Sequence, residues 1–186
     1  MSGKMPLNRT VATLTALAFL VAAGAAAARV LMTKEEALDA AFAEADRVEK
    51  EILYFSDAEQ KRVEQAARAP LESKLFTVYK AYKDGAVTGY GFIDTRTIRT
   101  KPATFLVVLE PEGRVREARI LAWQEPPEYQ PGERWLAQFR EQALSGEMRL
   151  GGAIQGMSGA SLSSRTLTDG VRRVLAIHRV KLGGKE

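Results

Sequence analysis

The chain has 186 residues, 46% of them hydrophobic and 27% charged, the proportions of one folded domain with an appendage rather than of a disordered chain. It holds no cysteine and one histidine, His178, which excludes disulfides, iron–sulfur clusters, thiolate nucleophiles and c-type haem attachment and argues against a zinc or haem site. Of the net charge of +4, three units come from Lys4, Arg9 and Arg29 in the acid-free residues 1–32, so the rest is nearly neutral and offers no basic surface for nucleic acid.

Thr10–Ala28 is a run of nineteen uncharged residues, TVATLTALAFLVAAGAAAA. At about 1.5 Å per residue a helix of that length reaches roughly 28 Å, enough for a bilayer core. Lys4 and Arg9 precede the run, which places the N-terminus in the cytoplasm and the remainder on the periplasmic or extracytoplasmic side. The expectation is a single-pass membrane anchor over 1–32. The alternative is a signal peptide cleaved in the alanines at 25–28. Both export residues 33–186.

Thr33-Lys-Glu-Glu36 and Ser56-Asp-Ala-Glu59 are capping boxes. Leu38, Ala41, Phe42, Ala45, Val48 and Ile52 continue the first at helical spacing, and Val63, Ala66 and Ala67 the second, until Pro70. Residues 33–70 therefore read as a helical pair, a stalk or lid. Strands follow at 74–83 and 86–94 around Asp84-Gly85, then at 103–110 and 114–123 around Pro111-Glu-Gly113. Pro126, Pro127 and Pro131 force an irregular loop; 133–144 reads as a short amphipathic helix and 164–179 as a last helix. Arg165, Arg172, Arg173 and Arg179 read as a solvated face of that last helix. The class is α+β: a twisted antiparallel sheet packed by helices, with residues 71–186 as the main domain.

One segment carries chemistry. Gln155-Gly-Met-Ser158-Gly159-Ala160-Ser161-Leu162-Ser163-Ser164 places four serines and small residues before a helix. Glycine and alanine admit a bulky group to the backbone, and a helix start supplies unpaired N–H groups to a phosphate. Two readings stand: a site for a phosphate-bearing ligand, or a loop with a hydroxyl-rich helix start. Gly156-Met-Ser158-Gly-Ala160 also looks like a loosened nucleophile elbow. Asp169 and His178, nine residues apart on one helix, point to opposite faces and cannot complete its triad. Gly89-x-Gly91-x-x-Asp94 lacks the third glycine of a dinucleotide fingerprint.

Ser158-Gly159-Ala160-Ser161, followed by Leu162-Ser163-Ser164 and a closing helix, resembles the flavin-attachment motif of the FMN-binding domain family, which includes flavoprotein components of the Rnf electron-transport complex and of the sodium-pumping NADH:quinone reductase. Gly89-Tyr90-Gly91, the strands 103–110 and 114–123, Gln124-Glu125-Pro126-Pro127 and Trp135-Leu-Ala-Gln-Phe139 fall in the family's order, so the resemblance covers about 74–179. It implies FMN as cofactor, joined through a phosphoester to Ser161 by a flavin transferase, with Ser158, Gly159, Ala160, Ser161, Leu162, Ser163, Ser164 and Glu125 as the cofactor-binding residues. Pro126, Tyr129, Trp135 and Phe139 are further candidates for the flavin surroundings. No metal site and no catalytic residue are implied. The function that follows is a membrane-anchored electron carrier, one component of an oxidoreductase assembly rather than a stand-alone enzyme, working with membrane redox proteins or a respiratory-type complex. Two positions depart from the family pattern. Ser161 stands for threonine and Gln155 for aspartate. They motivate the alternative of an exported module that keeps the fold without flavin and binds a partner.

Overall fold

The computed structural model describes residues 29–183. The run 10–28, on which the membrane-anchor expectation rests, lies outside them; among the described residues no helix is long and apolar enough to cross a membrane. The elements are β1 (Arg29–Val30), α1 (Lys34–Ala41), β2 (Arg47–Tyr54), α2 (Asp57–Ala67), β3 (Leu75–Lys83), β4 (Ala86–Thr97), β5 (Pro102–Leu109), β6 (Val115–Trp123), the short α3 (Glu133–Leu136) and α4 (Ser161–Lys181).

The six strands form one antiparallel sheet in the order β1-β6-β5-β4-β3-β2. β5 is the most apolar strand because both its faces are covered; Ala103 and the five residues from Phe105 to Leu109 are all buried. On one face α2 and α4 lay Val63, Ala67, Leu167, Val171 and Val174 against Val78, Phe92, Phe105 and Val107. On the other, Ala37 and Leu38 of α1, with Phe42 just after it, cover Ala81, Leu106, Val108 and Leu121. Gly89 and Gly91 serve this second layer. A Cβ at Gly91 would come 3.1 Å from the Phe42 ring and one at Gly89 3.3 Å from it. The two glycines of Gly89-Tyr90-Gly91 thus give the Phe42 ring room to lie on β4.

The helical pair expected over 33–70 is corrected. Both capping boxes form, Thr33 with Glu36 and Ser56 with Glu59, but the first helix stops at Ala41 and 47–54 is an edge strand paired with β3. Val48 and Ile52 are four residues apart, a spacing that fits a helix turn and two strand repeats equally. Val48, Lys50, Ile52 and Tyr54 share one face, and Leu53 turns inward to the core. The segment is therefore built into the domain, with α1 and α2 on opposite faces of the sheet.

The helix expected over 133–144 shrinks to α3 and a 3-10 turn at Ala137–Phe139. Glu141 adopts a left-handed φ of 63°, and its N–H donates to the Val115 carbonyl while the Val115 N–H donates to the Gln142 carbonyl. The chain after Phe139 is drawn off to extend β6. α4, by contrast, begins three residues earlier than expected and runs 21 residues. It lies directly on the sheet: a Cβ at Gly170 would come 2.5 Å from the Phe105 ring.

Arg172 and Arg173 do not form a solvated helix face, as the sequence suggested; both are buried. Arg172 donates to the Ala66 and Ala67 carbonyls at the C-terminal end of α2, where helix carbonyls lack partners, and to the Ser145 and Met148 carbonyls. Arg173 donates to the Pro70 carbonyl at 3.0 Å and pairs with Asp94 at 3.3 Å. The two side chains fasten α4 to the end of α2 and to the loop that leads toward Ser158.

Candidate functional site

The course of α4 sets which end of the sheet holds the serine-rich turn. His178 Nε2 lies 3.1 Å from the Pro111 carbonyl, to which it donates, and the ring is edge-on to Tyr90 at 5.1 Å. Arg173 reaches Asp94, and Gly170 sits on Phe105. Phe105 pairs with Asp94 on one side and Ile120 on the other. From His178 to Gly170 the helix thus travels from the 111–113 turn toward the opposite end of β5. Ser161, nine residues further back and so about 13 Å along the axis, lies at the end of the sheet formed by the 97–102 turn and the exit of β6.

The first turn of α4 is open. Its N-cap is Ala160, which has no side chain to accept a hydrogen bond, and no other side chain caps this end. The Ser164 N–H bonds back to the Ala160 carbonyl, beginning the helical ladder; the N–H groups of Ser161, Leu162 and Ser163 have no acceptor among the described residues. Just before them Met157–Ala160 closes a tight turn through the Ala160 N–H and the Met157 carbonyl, with Gly159 at a φ of +76°, the left-handed conformation for which glycine is suited. Nothing lies within 4 Å of where a Cβ on Gly159 would stand, so the space over this turn is clear. Ser158, Gly159, Ser161 and Leu162 are exposed and Ala160 is buried.

The four serines separate into two pairs. Ser163 and Ser164 are buried, and Ser164 Oγ accepts from the Met157 N–H at 3.0 Å and donates to the Ala160 carbonyl at 3.1 Å. Ser164 shapes the turn from within. Ser163 is too deeply placed to be an alternative point of attachment. The hydroxyls of Ser158 and Ser161 face outward, and that of Ser161 stands at the helix start.

Glu125 is buried, and its Oε1 accepts from the N–H groups of Arg99, Thr100 and Lys101 at 2.9, 2.7 and 2.8 Å. Those hydrogen bonds, the one from Thr100 foremost, hold its carboxyl below the usual carboxylate range. Its work is to fold the 98–101 turn, whose exposed Arg99 guanidinium lies 5.1 Å over the Tyr129 ring. Trp135 holds the start of the serine-rich segment: its Nε1–H donates to the Gln155 carbonyl at 2.7 Å, and the Gln138 side chain accepts from the Gln155 N–H at 2.8 Å. Phe139 is fully buried and packs edge-on against Trp135. Pro126 takes part through its carbonyl, which accepts from Trp123 Nε1. Of the sequence candidates, then, Trp135, with Phe139 packed against it, holds the segment that leads into the serine-rich turn, Ser158, Gly159, Ser161 and Leu162 form the surface of that turn, and Glu125 braces the 98–101 turn. Gln138 contributes to the segment by accepting from the Gln155 N–H, a hydrogen bond that leaves no pattern in the sequence.

Largest of the described cavities is one of about 980 Å³ around Arg62, His178 and Arg179, near the opposite end of α4. The burial of His178 holds its imidazole below the usual histidine range. With its ring against Pro111 and Tyr90, it is remote from Ser158, and the triad is excluded by placement as well as by spacing. The serine-rich turn is an open surface, a form that suits a tethered group with an accessible edge better than an engulfed substrate.

Residues 99–176 match the profile of the FMN-binding domain family. The resemblance read from Ser158–Ser164 is thereby shown over the stretch that holds the 98–101 turn, β5, β6 and most of α4, and FMN is the cofactor of that domain. No curated protein matches the chain significantly. Among solved structures the crystal structure of NqrC from Shewanella oneidensis is similar, with 14% identity, a TM-score of 0.49, and coverage of 84% of this chain and 93% of that one. An FMN phosphate is chemically compatible with what the first turn offers: free N–H groups at a positive helix end, a clear space over Gly159, and hydroxyls on its rim.

Proposed function

We propose that this protein is a membrane-anchored electron carrier whose FMN is joined through a phosphoester to Ser161. The observation that carries the reading is the open first turn of α4, with an exposed hydroxyl at its start, inside the segment that matches an FMN-binding domain. The N–H groups of Ser161, Leu162 and Ser163 hold the phosphate, and the helix dipole favours its charge. Gly159 and Ala160 let the group approach the backbone. Ser164 fixes the turn, and Trp135 and Gln138 fix the segment before it by holding Gln155. The flavin supplies one- and two-electron transfer; the protein holds it at a surface where a partner can reach it. A covalent link keeps the cofactor from being lost outside the cytoplasm.

The apolar run 10–28 anchors the chain in the cytoplasmic membrane, with the N-terminus inside and the domain outside, and the redox partners belong to a membrane complex. A flavin transferase matures the protein. The test is an absorption spectrum of the full chain made with its maturation machinery, before and after denaturing precipitation. Flavin bands that stay with the precipitated protein are expected. A folded, colourless protein would support the flavin-free, partner-binding module instead. Flavin released into the supernatant would leave the binding and remove the ester.

A further inference from the structure

We infer that the open stretch of β6 between Val115 and Leu121 takes in a short extended segment of a partner polypeptide, which pairs with it as an antiparallel strand. This site is independent of the flavin reading. The direction of the backbone groups exposes it. The Gln124 N–H donates to the Pro102 carbonyl and the Glu110 N–H to the Arg114 carbonyl, so along β5 the even-numbered residues face β6. Phe105 and Val107 turn to β4 instead, and their opposites on β6, Ile120 and Ala118, turn away from β5. Among the described residues nothing hydrogen-bonds to the backbone N–H or C=O of Ala118 or Ile120 on that side, because β1 pairs only with Ala122 and Trp123.

The gap is bounded at both ends. At one, the Leu121 carbonyl accepts from the N–H groups of Leu31 and Met32 at 2.8 and 3.2 Å, after which the chain turns off into α1. At the other, Val115 exchanges hydrogen bonds with Glu141 and Gln142. Both neighbours run antiparallel to β6. Between them lies a groove of about 530 Å³, lined by Ala118 and Ile120 of β6, by Leu31 and Met32, and by Leu136 and Ala137. Alternating free N–H and C=O groups along a strand edge are met by an extended main chain, and the side chains of that guest supply the specificity. A guest of four residues, about 13 Å long, matches the span from Glu117 to Ile120.

The side chains of β6 set the chemistry of the guest. A residue across from Ile120 or Ala118 shares their face of the sheet, the face on which Leu136 packs, and a β-branched apolar side chain suits it. Residues across from Arg119 and Glu117 fall on the other face. There Arg119 Nη2 donates to Glu117 Oε2 at 3.0 Å, and Glu117 Oε1 is buried with no hydrogen-bond partner. A carboxylate across from Arg119 and an ammonium across from Glu117 complement this pair. Glu133 and Arg140, which also line the groove, are exposed and opposite in sign, so they impose no net charge on the guest. In antiparallel order the segment is therefore apolar, acidic, apolar, basic. Leu136 and Ala137 sit between Trp135 and Gln138, which hold Gln155, so the guest lies against the same short stretch that steadies the start of the serine-rich segment.

The chain has no cysteine, so Ala137→Cys in the full chain, held in detergent micelles, puts a single thiol at the exposed rim of the groove. The probe is the C-terminally amidated peptide CGGVEVK, offered as a mixed disulfide under partly reducing conditions, with capture read by intact mass. Capture is expected to exceed at least fivefold that of the same peptide N-methylated at its two valines, whose N–H groups face Ile120 and Ala118. Exchanging its glutamate and lysine should lower capture by at least half. Adding Ala118→Pro removes an outward N–H and costs β6 no bond to β5; it should reduce capture to the level of the methylated peptide, whereas Ala118→Ser should not. Equal capture of the methylated and unmethylated peptides would overturn the inference, and this comparison decides alone should A118P not fold. Undiminished capture by a folded A118P chain, or an equal loss in A118S, would overturn it too. Equal capture of the charge-exchanged peptide would overturn the assigned order of charges. Chains joined to one another at position 137 in preference to the peptide would make a second copy the occupant and overturn the partner. The readout does not use flavin, so a colourless protein with the expected capture would break the carrier reading and leave the peptide site standing.

Discussion

The helix starts of this molecule are made in two ways. At α1 and α2 the sequence finishes the job: Thr33 and Ser56 accept from the N–H groups of Glu36 and Glu59, and each glutamate carboxylate reaches back to its cap residue. At α4, the longest helix described, Ala160 offers nothing. Its opposite end is well secured, with Lys181 donating to Glu59 at 2.7 Å. A capped start contributes only to stability. A start left open inside a flavin-binding segment is where a ligand can supply the acceptors that the chain withholds.

That contrast can be broken most sharply by substitution at the two kinds of start. Ser161→Ala should abolish the flavin fluorescence of the band on a denaturing gel and leave the fold intact; a band that persists would move the ester to another hydroxyl, Ser158 being the exposed one. Ser56→Ala should leave that band unchanged. Next in size is Arg172→Ala, which strips four carbonyls of their donor and should cost ~3 kcal/mol in urea-denaturation experiments. A loss under about 1 kcal/mol there would mean that water replaces the guanidinium and that α4 is not fastened as described. Gly113→Ala combines a φ of +78° with a Cβ 2.6 Å from His178 Nδ1. About 1–3 kcal/mol of destabilisation is expected, seen as a lower Tm, with flavin content unaffected because the turn lies at the far end.

Smaller effects sharpen the account of the finished starts. Ser56→Ala should lower stability by about 1 kcal/mol. Glu59 is held at about 2 instead of 4.5, chiefly by the hydrogen bond from Lys181 and then by the Ser56 N–H. A carboxylate with a depressed value in the folded state stabilises fully above the unfolded value and loses that contribution as pH falls through the folded one. The urea midpoint should therefore fall between about pH 4.5 and 2, and Glu59→Gln should flatten that part of the profile. An unchanged profile in the variant would assign the acid loss to other carboxylates.

What could be read from the sequence followed the range of the interactions involved. The capping boxes, the four central strands and the serine-rich turn are local patterns, and each stands where its residues put it. β2 was misread because Val48 and Ile52 satisfy two periodicities at once, and only pairing with β3 decides between them. The burial of Arg172 and Arg173 was illegible for a similar reason: their partners are carbonyls near residues 66–70 and 145–148, far away in the chain. Within the site, the motif gave the surface residues but not their sorting. Ser158 and Ser161 differ from Ser163 and Ser164 only in which side of the turn they occupy, and Glu125 proved to be a brace for the 98–101 turn.

The central claim is that the open start of α4 carries FMN on Ser161. Tryptic digestion of the matured full chain releases residues 150–165, a peptide that contains all four serines of the turn and is bounded by Arg149 and Arg165. Fragmentation mass spectrometry of that peptide is the most direct test. The account predicts an added mass of one FMN less one water, retained on Ser161. The unmodified peptide alone, from protein made in the presence of an active flavin transferase, would contradict it.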